Sequence, residues 1–139
     1  MARRSAEAPP LRGVHILLVC DDDERSALFA DALRYAGALV TTCGAADEAR
    51  AVLERLRANV IVAELREATE RARLIGAVRE LPVDSGGGIP ALALTPSYED
   101  AKALLAAGYH EHLAMPVRAA ELCASVVALA RQPAASPRL

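Results

Sequence analysis

The stretch Ile16–Gly37, ILLVCDDDERSALFADALRYAG, decides how the rest of the chain is read. Its first five residues end a nearly continuous apolar run, Val14 to Cys20 (VHILLVC), as required of a strand buried on both faces of a sheet. Asp21, Asp22 and Asp23 then break the run. Short acidic side chains accept the unpaired N–H groups at a helix start, so a helix is expected from here to Ala36. Along it Phe29, Leu33 and Ala36 fall on one stripe. Gly37 follows where a left-handed residue is wanted to end the helix.

The alternation continues outward. Leu39 to Thr42 is a brief strand, and a helix is expected over Ala45 to Ala58 with Ala45, Ala49, Val52 and Leu56 at helical spacing. Asn59 to Leu65 (NVIVAEL) reads as a second buried strand, followed by a helix from Glu67 to Leu81 that stops before Pro82. Ser85 to Gly88 (SGGG) reads as a flexible surface loop. Ile89 to Thr95 (IPALALT) is the fourth strand. Ser97 and Asp100 form a capping-box-like pair opening a helix with Ala101, Leu104, Leu105 and Gly108 on one face. His110 to Ala114 makes a short fifth strand. A last helix from Pro116 carries Leu122, Ser125, Val126 and Leu129 on its buried side. Strands alternating with helices over short loops predict an α/β domain with a doubly wound parallel sheet. Sites in such sheets form at the carboxyl ends of the strands, near the switch point. The residues to read are therefore Cys20 to Asp23, Glu64 to Arg66, Thr95 to Ser97, and Met115.

Length and composition narrow the function. The 139 residues suit one domain: a 1–12 N-terminal tail, a 13–131 body, and a 132–139 tail or linker start. Aromatic residues make up 3%, with no Trp, which weakens a base-stacking nucleic-acid binder. A net charge of -2 gives no electrostatic pull toward nucleic acid or an anionic membrane. Cys20, Cys43 and Cys123 are scattered and form no CxxC pair, so they read as reduced core thiols of a cytoplasmic protein. No apolar run approaches a membrane span, and residues 1–10 lack the apolar core of a signal peptide. His15, His110, His112 and the cysteines show no zinc-type spacing. There is no GxSxG elbow or P-loop, and no GxGxxG follows a strand, so an enzyme is not expected.

The motifs together carry a resemblance. Ile16–Gly37, ANVIVAEL (58–65), IPALALT (89–95) and the spacing from AAGYHEHLAMP (106–116) to the end are similar to the two-component response-regulator receiver domain, the CheY-like family. The likeness covers residues 13 to 131. It implies a flavodoxin/CheY-like fold of five parallel strands in the order 2-1-3-4-5 with five helices. It also implies phosphorelay signal transduction, in which a histidine kinase supplies a phosphoryl group to an Asp ending the third strand. Two acidic residues after the first strand hold Mg²⁺ in that design, and a hydroxyl and a Lys receive the phosphoryl oxygens.

Against that pattern the chain departs at several positions. Cys20 stands at the first acidic position and Asp21 at the second. A soft thiol suits Mg²⁺ poorly, so the resemblance implies a weak or absent Mg²⁺ site with Asp21 as its ligand. Asp22 lies close by but out of register. Glu64 takes the phosphoacceptor position. It is one methylene longer than Asp, which moves its oxygens by about 1.5 Å, enough to matter for in-line transfer. It either imitates the phosphorylated state or merely ends the strand, pairing with an Arg such as Arg66. Thr95 keeps the hydroxyl position and His112 takes the aromatic switch position. Met115 replaces the Lys, and Pro96 offers no N–H. REATERA (66–72) lacks the Pro and Gly that shape the usual loop, so the third helix is expected to start early.

The expectation is thus an atypical pseudo-receiver that needs no cofactor and works through a protein partner, with residues 98–131 as the docking or homodimer face. The competing reading is the input module of a larger, DNA-binding regulator that still senses a phosphosignal.

Overall fold

A computed structural model of the chain describes residues 8–96 and 101–132. The apolar runs expected to lie deepest do so: β1 (His15–Cys20), β3 (Val60–Glu64) and β4 (Ala91–Thr95) are buried along nearly their whole length. β2 (Leu39–Cys43) and β5 (Glu111–Ala114) are half-exposed because they form the edges. All pair in parallel, in the order β2-β1-β3-β4-β5. The direction of winding reverses between β1 and β3, so their carboxyl ends flank the switch crevice.

The pleat divides the core in two. Ile16, Leu18, Val60, Val62, Leu92 and Leu94 meet Phe29 and Leu33 of α1 (Asp23–Tyr35) and Leu122, Val126 and Leu129 of α5 (Ala119–Ala130). Leu17, Val19, Ile61, Ala63, Ala91 and Ala93 meet the helices of the other face, α2 (Ala46–Leu53), α3 (Ala68–Arg79) and α4 (Ala101–Ala107).

Several boundaries differ from the sequence expectation. α2 ends at Leu53, and its buried stripe is Ala46, Ala49 and Leu53 rather than Ala45 and Leu56. The N–H groups of Arg55 and Leu56 both fall back on the Val52 carbonyl, which turns the chain toward β3. α4 buries Leu104 but leaves Leu105 in solvent. α5 begins at Ala119, where the Glu121 carboxylate accepts the Arg118 N–H at 2.9 Å. The Ser97–Asp100 pair lies outside the described residues.

Two regions expected to be loose are packed. Leu11 lies in the stretch assigned to a tail, yet it is fully buried and its N–H donates to the Ala36 carbonyl at 2.8 Å. The ordered body therefore starts before residue 13, because α1 leaves an apolar end that Leu11 fills. Gly37 has φ +106, and a Cβ there would sit 2.6 Å from Pro9 Cβ, so the same glycine ends α1 and admits this segment.

The SGGG stretch is likewise no free loop. A 3-10 turn (Val83–Ser85) leads into it, Gly86 and Gly87 are buried, and the Gly87 N–H donates to the Pro82 carbonyl. Arg79 fastens it: Nη1 donates to the Gly87 carbonyl at 2.8 Å, while Nε and Nη2 donate to that of Gly108 at 3.1 and 2.8 Å.

Gly87 leaves no room for a side chain, since a Cβ would lie 1.9 Å from the Leu81 carbonyl oxygen. Gly87→Ala should cost about 3 kcal/mol, read as a lowered denaturant midpoint. Gly76→Ala, where a Cβ meets nothing within 4 Å, should be neutral or stabilising. Equal melting of the two variants would count against this packing.

Candidate functional site

The register of β1 against β3 makes Cys20 and Glu64 direct neighbours at the strand ends. Both share the pleat phase that points toward α1, as Val62 and Leu18 do. The Glu64 carboxylate is 7% exposed, and a charge so placed needs partners. Its Oε1 accepts two hydrogen bonds, from Arg25 Nε at 2.8 Å and from the Cys20 thiol at 3.0 Å. The arginine is Arg25, reached across the crevice from α1, and not Arg66 as the sequence suggested.

Arg25 arrives there through the start of its helix. Asp22, in extended conformation, caps α1 by accepting the Arg25 N–H on Oδ1 at 2.9 Å. Its other oxygen lies 3.7 Å from Arg25 Nη1. The Arg25 N–H, and then the guanidinium charge, hold the Asp22 acid below the usual carboxylate range. The bond to Glu64 raises the Arg25 guanidinium above its ordinary value. Burial, followed by the bond to Glu64, pushes the Cys20 thiol up to about 12. It is thus a protonated donor at neutral pH.

Asp21 serves a different neighbour. Its Oδ2 accepts the Arg66 N–H at 2.8 Å, and its own N–H donates to the Glu64 carbonyl at 3.3 Å. The loop it pins has a second support that the sequence did not suggest. Arg71 is buried on α3, and its Nη1 donates to the carbonyls of Leu65 and Arg66 at 2.7 and 3.1 Å. Tyr109 in turn donates its hydroxyl proton to the Arg71 carbonyl at 2.9 Å. A buried guanidinium thus shapes the loop that Pro and Gly would shape elsewhere, and α3 begins soon after β3, at Ala68.

Thr95 and His112 form their own pair. The Thr95 side chain is fully buried and bonded to His112 Nε2. They follow the pleat phase of Ala91 and Ala93, which is that of the α2, α3 and α4 face. The Met115 N–H donates to the Thr95 carbonyl at 2.7 Å, while the partly buried Met115 side chain packs against the core under α1 and α5. The structure therefore gathers Cys20, Asp22, Glu64 and Arg25, sets Asp21 on the adjoining loop, and gives Thr95 and His112 to the opposite face.

These groups do not fit a resident Mg²⁺. Such an ion wants several free oxygens in octahedral array. Here Glu64 Oε1 holds a guanidinium, Asp21 Oδ2 an N–H, both Asp22 oxygens face Arg25, and Cys20 offers a sulfur in place of an oxygen. Among the described residues no group of three or more His, Cys, Asp or Glu is placed to hold a metal. Nor is any described helix long and apolar enough to cross a membrane.

Comparison with known proteins gives the lineage. The chain is 37% identical over 115 residues to an uncharacterized 14.6 kDa protein in the sodA1 3′ region of Leptolyngbya boryana, covering 81% of this chain and 86% of that one. The chain belongs to that protein's family. No family model matches it. Its fold is the response-regulator receiver fold. The receiver domain of a Pseudomonas aeruginosa sensor histidine kinase, with a magnesium ion coordinated in its active-site cleft, superposes with a TM-score of 0.76 at 27% identity. The match covers 86% of this chain and 99% of that one. Chemotaxis response regulator CheY4 of Vibrio cholerae matches at 0.75 and 23% identity, over 84% and 98% of the two chains. Cys20 and Glu64 end β1 and β3, and Asp21 follows Cys20, beside the crevice between these two strands.

The Cys20 thiol, pushed up to about 12, and the Cys43 thiol, pushed up to about 11 by burial, should resist alkylation of the native protein at pH 8. Modification of these two should rise only with unfolding, whereas Cys123 is only partly buried. Mass mapping that finds Cys20 alkylated as fast as a free thiol would show the pocket to be open.

Proposed function

We propose that this receiver-fold domain is a cytoplasmic signalling module, not an enzyme, that acts by binding a protein partner and does not run the aspartyl phosphotransfer cycle. The observation that carries the proposal is the state of Glu64. The group at the acceptor position is a glutamate, buried and already bonded to Arg25 and Cys20. An attacking carboxylate needs its oxygens free for the phosphoryl donor, and here Oε1 already holds the Arg25 guanidinium and the Cys20 thiol. Met115, an uncharged side chain packed against the core, brings no cation to meet an incoming phosphoryl group.

The partner face would be α4, β5 and α5, within residues 98–131. Support comes from α4, which buries only Leu104 and turns Ala103, Leu105, Ala106 and Ala107 outward. A helix surface of small apolar side chains allows close packing, whether against a different protein or a second copy. With Glu64 already paired to Arg25, that face would be presented without a phosphorylation signal.

Incubation with a small phosphodonor and Mg²⁺ should leave the intact mass of the protein unchanged. A phosphoryl adduct mapped to Glu64 would overturn the proposal. Leu105→Asp should weaken partner capture or self-association at least tenfold while leaving the melting temperature within a few degrees, since Leu105 is already exposed.

A further inference from the structure

We propose that the Arg25 guanidinium is the resident cation of the Glu64 pocket, standing in charge for the divalent ion of other receivers and keeping Mg²⁺ out while it is in place. The inference rests on the reading of Glu64 given above and goes further, assigning a role to a residue outside the positions that the receiver likeness marks.

Three observations converge on it. The geometry comes first: Arg25 Nε lies 2.8 Å from Glu64 Oε1, and Nη1 lies 3.7 Å from Asp22 Oδ2, so one guanidinium addresses carboxylates from both β3 and the β1–α1 junction. That is the bridging task of a metal between two acidic elements. Charge is the second. At the centre of the pocket the Arg25 guanidinium lies directly against the Glu64 carboxylate, so an entering cation would have to displace a like charge. The third is placement along the helix. Arg25 is the third residue of α1, where a capping box would have Glu or Gln and where the macrodipole disfavours a cation. Locally the arginine side chain has the 3.7 Å pair with Asp22, whereas the buried Glu64 holds it at 2.8 Å.

Deleting the guanidinium should therefore uncover a metal site. Amide NMR titrations with Mg²⁺, and relaxation titrations with Mn²⁺ as a probe, should leave residues 20–25 and 64–66 of the native protein unmoved. Arg25→Ala combined with Cys20→Asp, which frees the Glu64 oxygen and restores a hard ligand, should bind Mn²⁺ at least about tenfold more tightly than the native chain. Should that variant fold poorly, Arg25→Gln and Arg25→Lys serve instead. Mg²⁺ should raise the melting temperature of Arg25→Gln and leave Arg25→Lys and the native protein unaffected.

Mg²⁺-induced shifts at Asp21 and Glu64 of the native protein, or melting of Arg25→Gln that ignores Mg²⁺, would overturn the assignment. Native Mg²⁺ binding without phosphoryl labelling would defeat this inference alone, whereas labelling at Glu64 would defeat the functional reading beneath it.

Discussion

A carboxylate buried at the end of a central strand sets the terms for everything around it. Glu64 leaves water on folding, and an ion so placed is stable only with donors in hand. Arg25 and the Cys20 thiol supply them. Loss of the arginine would leave an uncompensated buried charge, a change that costs about 3 kcal/mol or more in deeply buried pairs. The cost here is reduced because the Arg25 side chain keeps 37% of its surface in solvent. Asp22 completes the arrangement from the far side, since the cap that starts α1 also orients the arginine that reaches Glu64.

The pairing depends in turn on backbone register. Sliding β1 by one residue against β3 would carry Cys20 to the opposite face and leave Glu64 beside a different neighbour. The apolar side chains of β1 and β3 forbid that slip, because they are fully buried on both faces. The hydrophobic pattern therefore fixes an electrostatic contact that it does not itself contain. Similarly, Asp21 and Arg71 hold the β3–α3 loop through its own carbonyl and N–H groups, so the acidic residues at the crevice are occupied with structure.

The strands and the ends of α1 were legible because each rests on local chemistry: continuous apolar runs, an aspartate cap, a glycine at positive φ. The five-stranded order followed from the receiver resemblance and holds in the structure. Helix lengths were less legible, since α2 stops where its carbonyls turn the chain rather than where apolar spacing ends. Leu11 and Arg25 were missed because each looks like an ordinary residue of its segment while its partner is a helix or strand distant in sequence. Arg71 bonds carbonyls only five and six residues back, and it was missed because nothing local marks a helix-borne arginine for burial. For Arg25 a signal did exist, a cation in the first turn of a helix, but only the β1–β3 register tells which anion it serves.

The Arg79 clasp has a mechanical consequence. It joins the last turn of α3 to the turns preceding β4 and β5, all at the end of the sheet remote from Glu64. The crevice end of the same helix is held by Arg71 on the carbonyls of Leu65 and Arg66. A helix clamped by a guanidinium near each end acts as a strut rather than a lever. A push on α3 would therefore pass along its axis to the loop where Asp21 and Arg66 meet, with little tilt to absorb it.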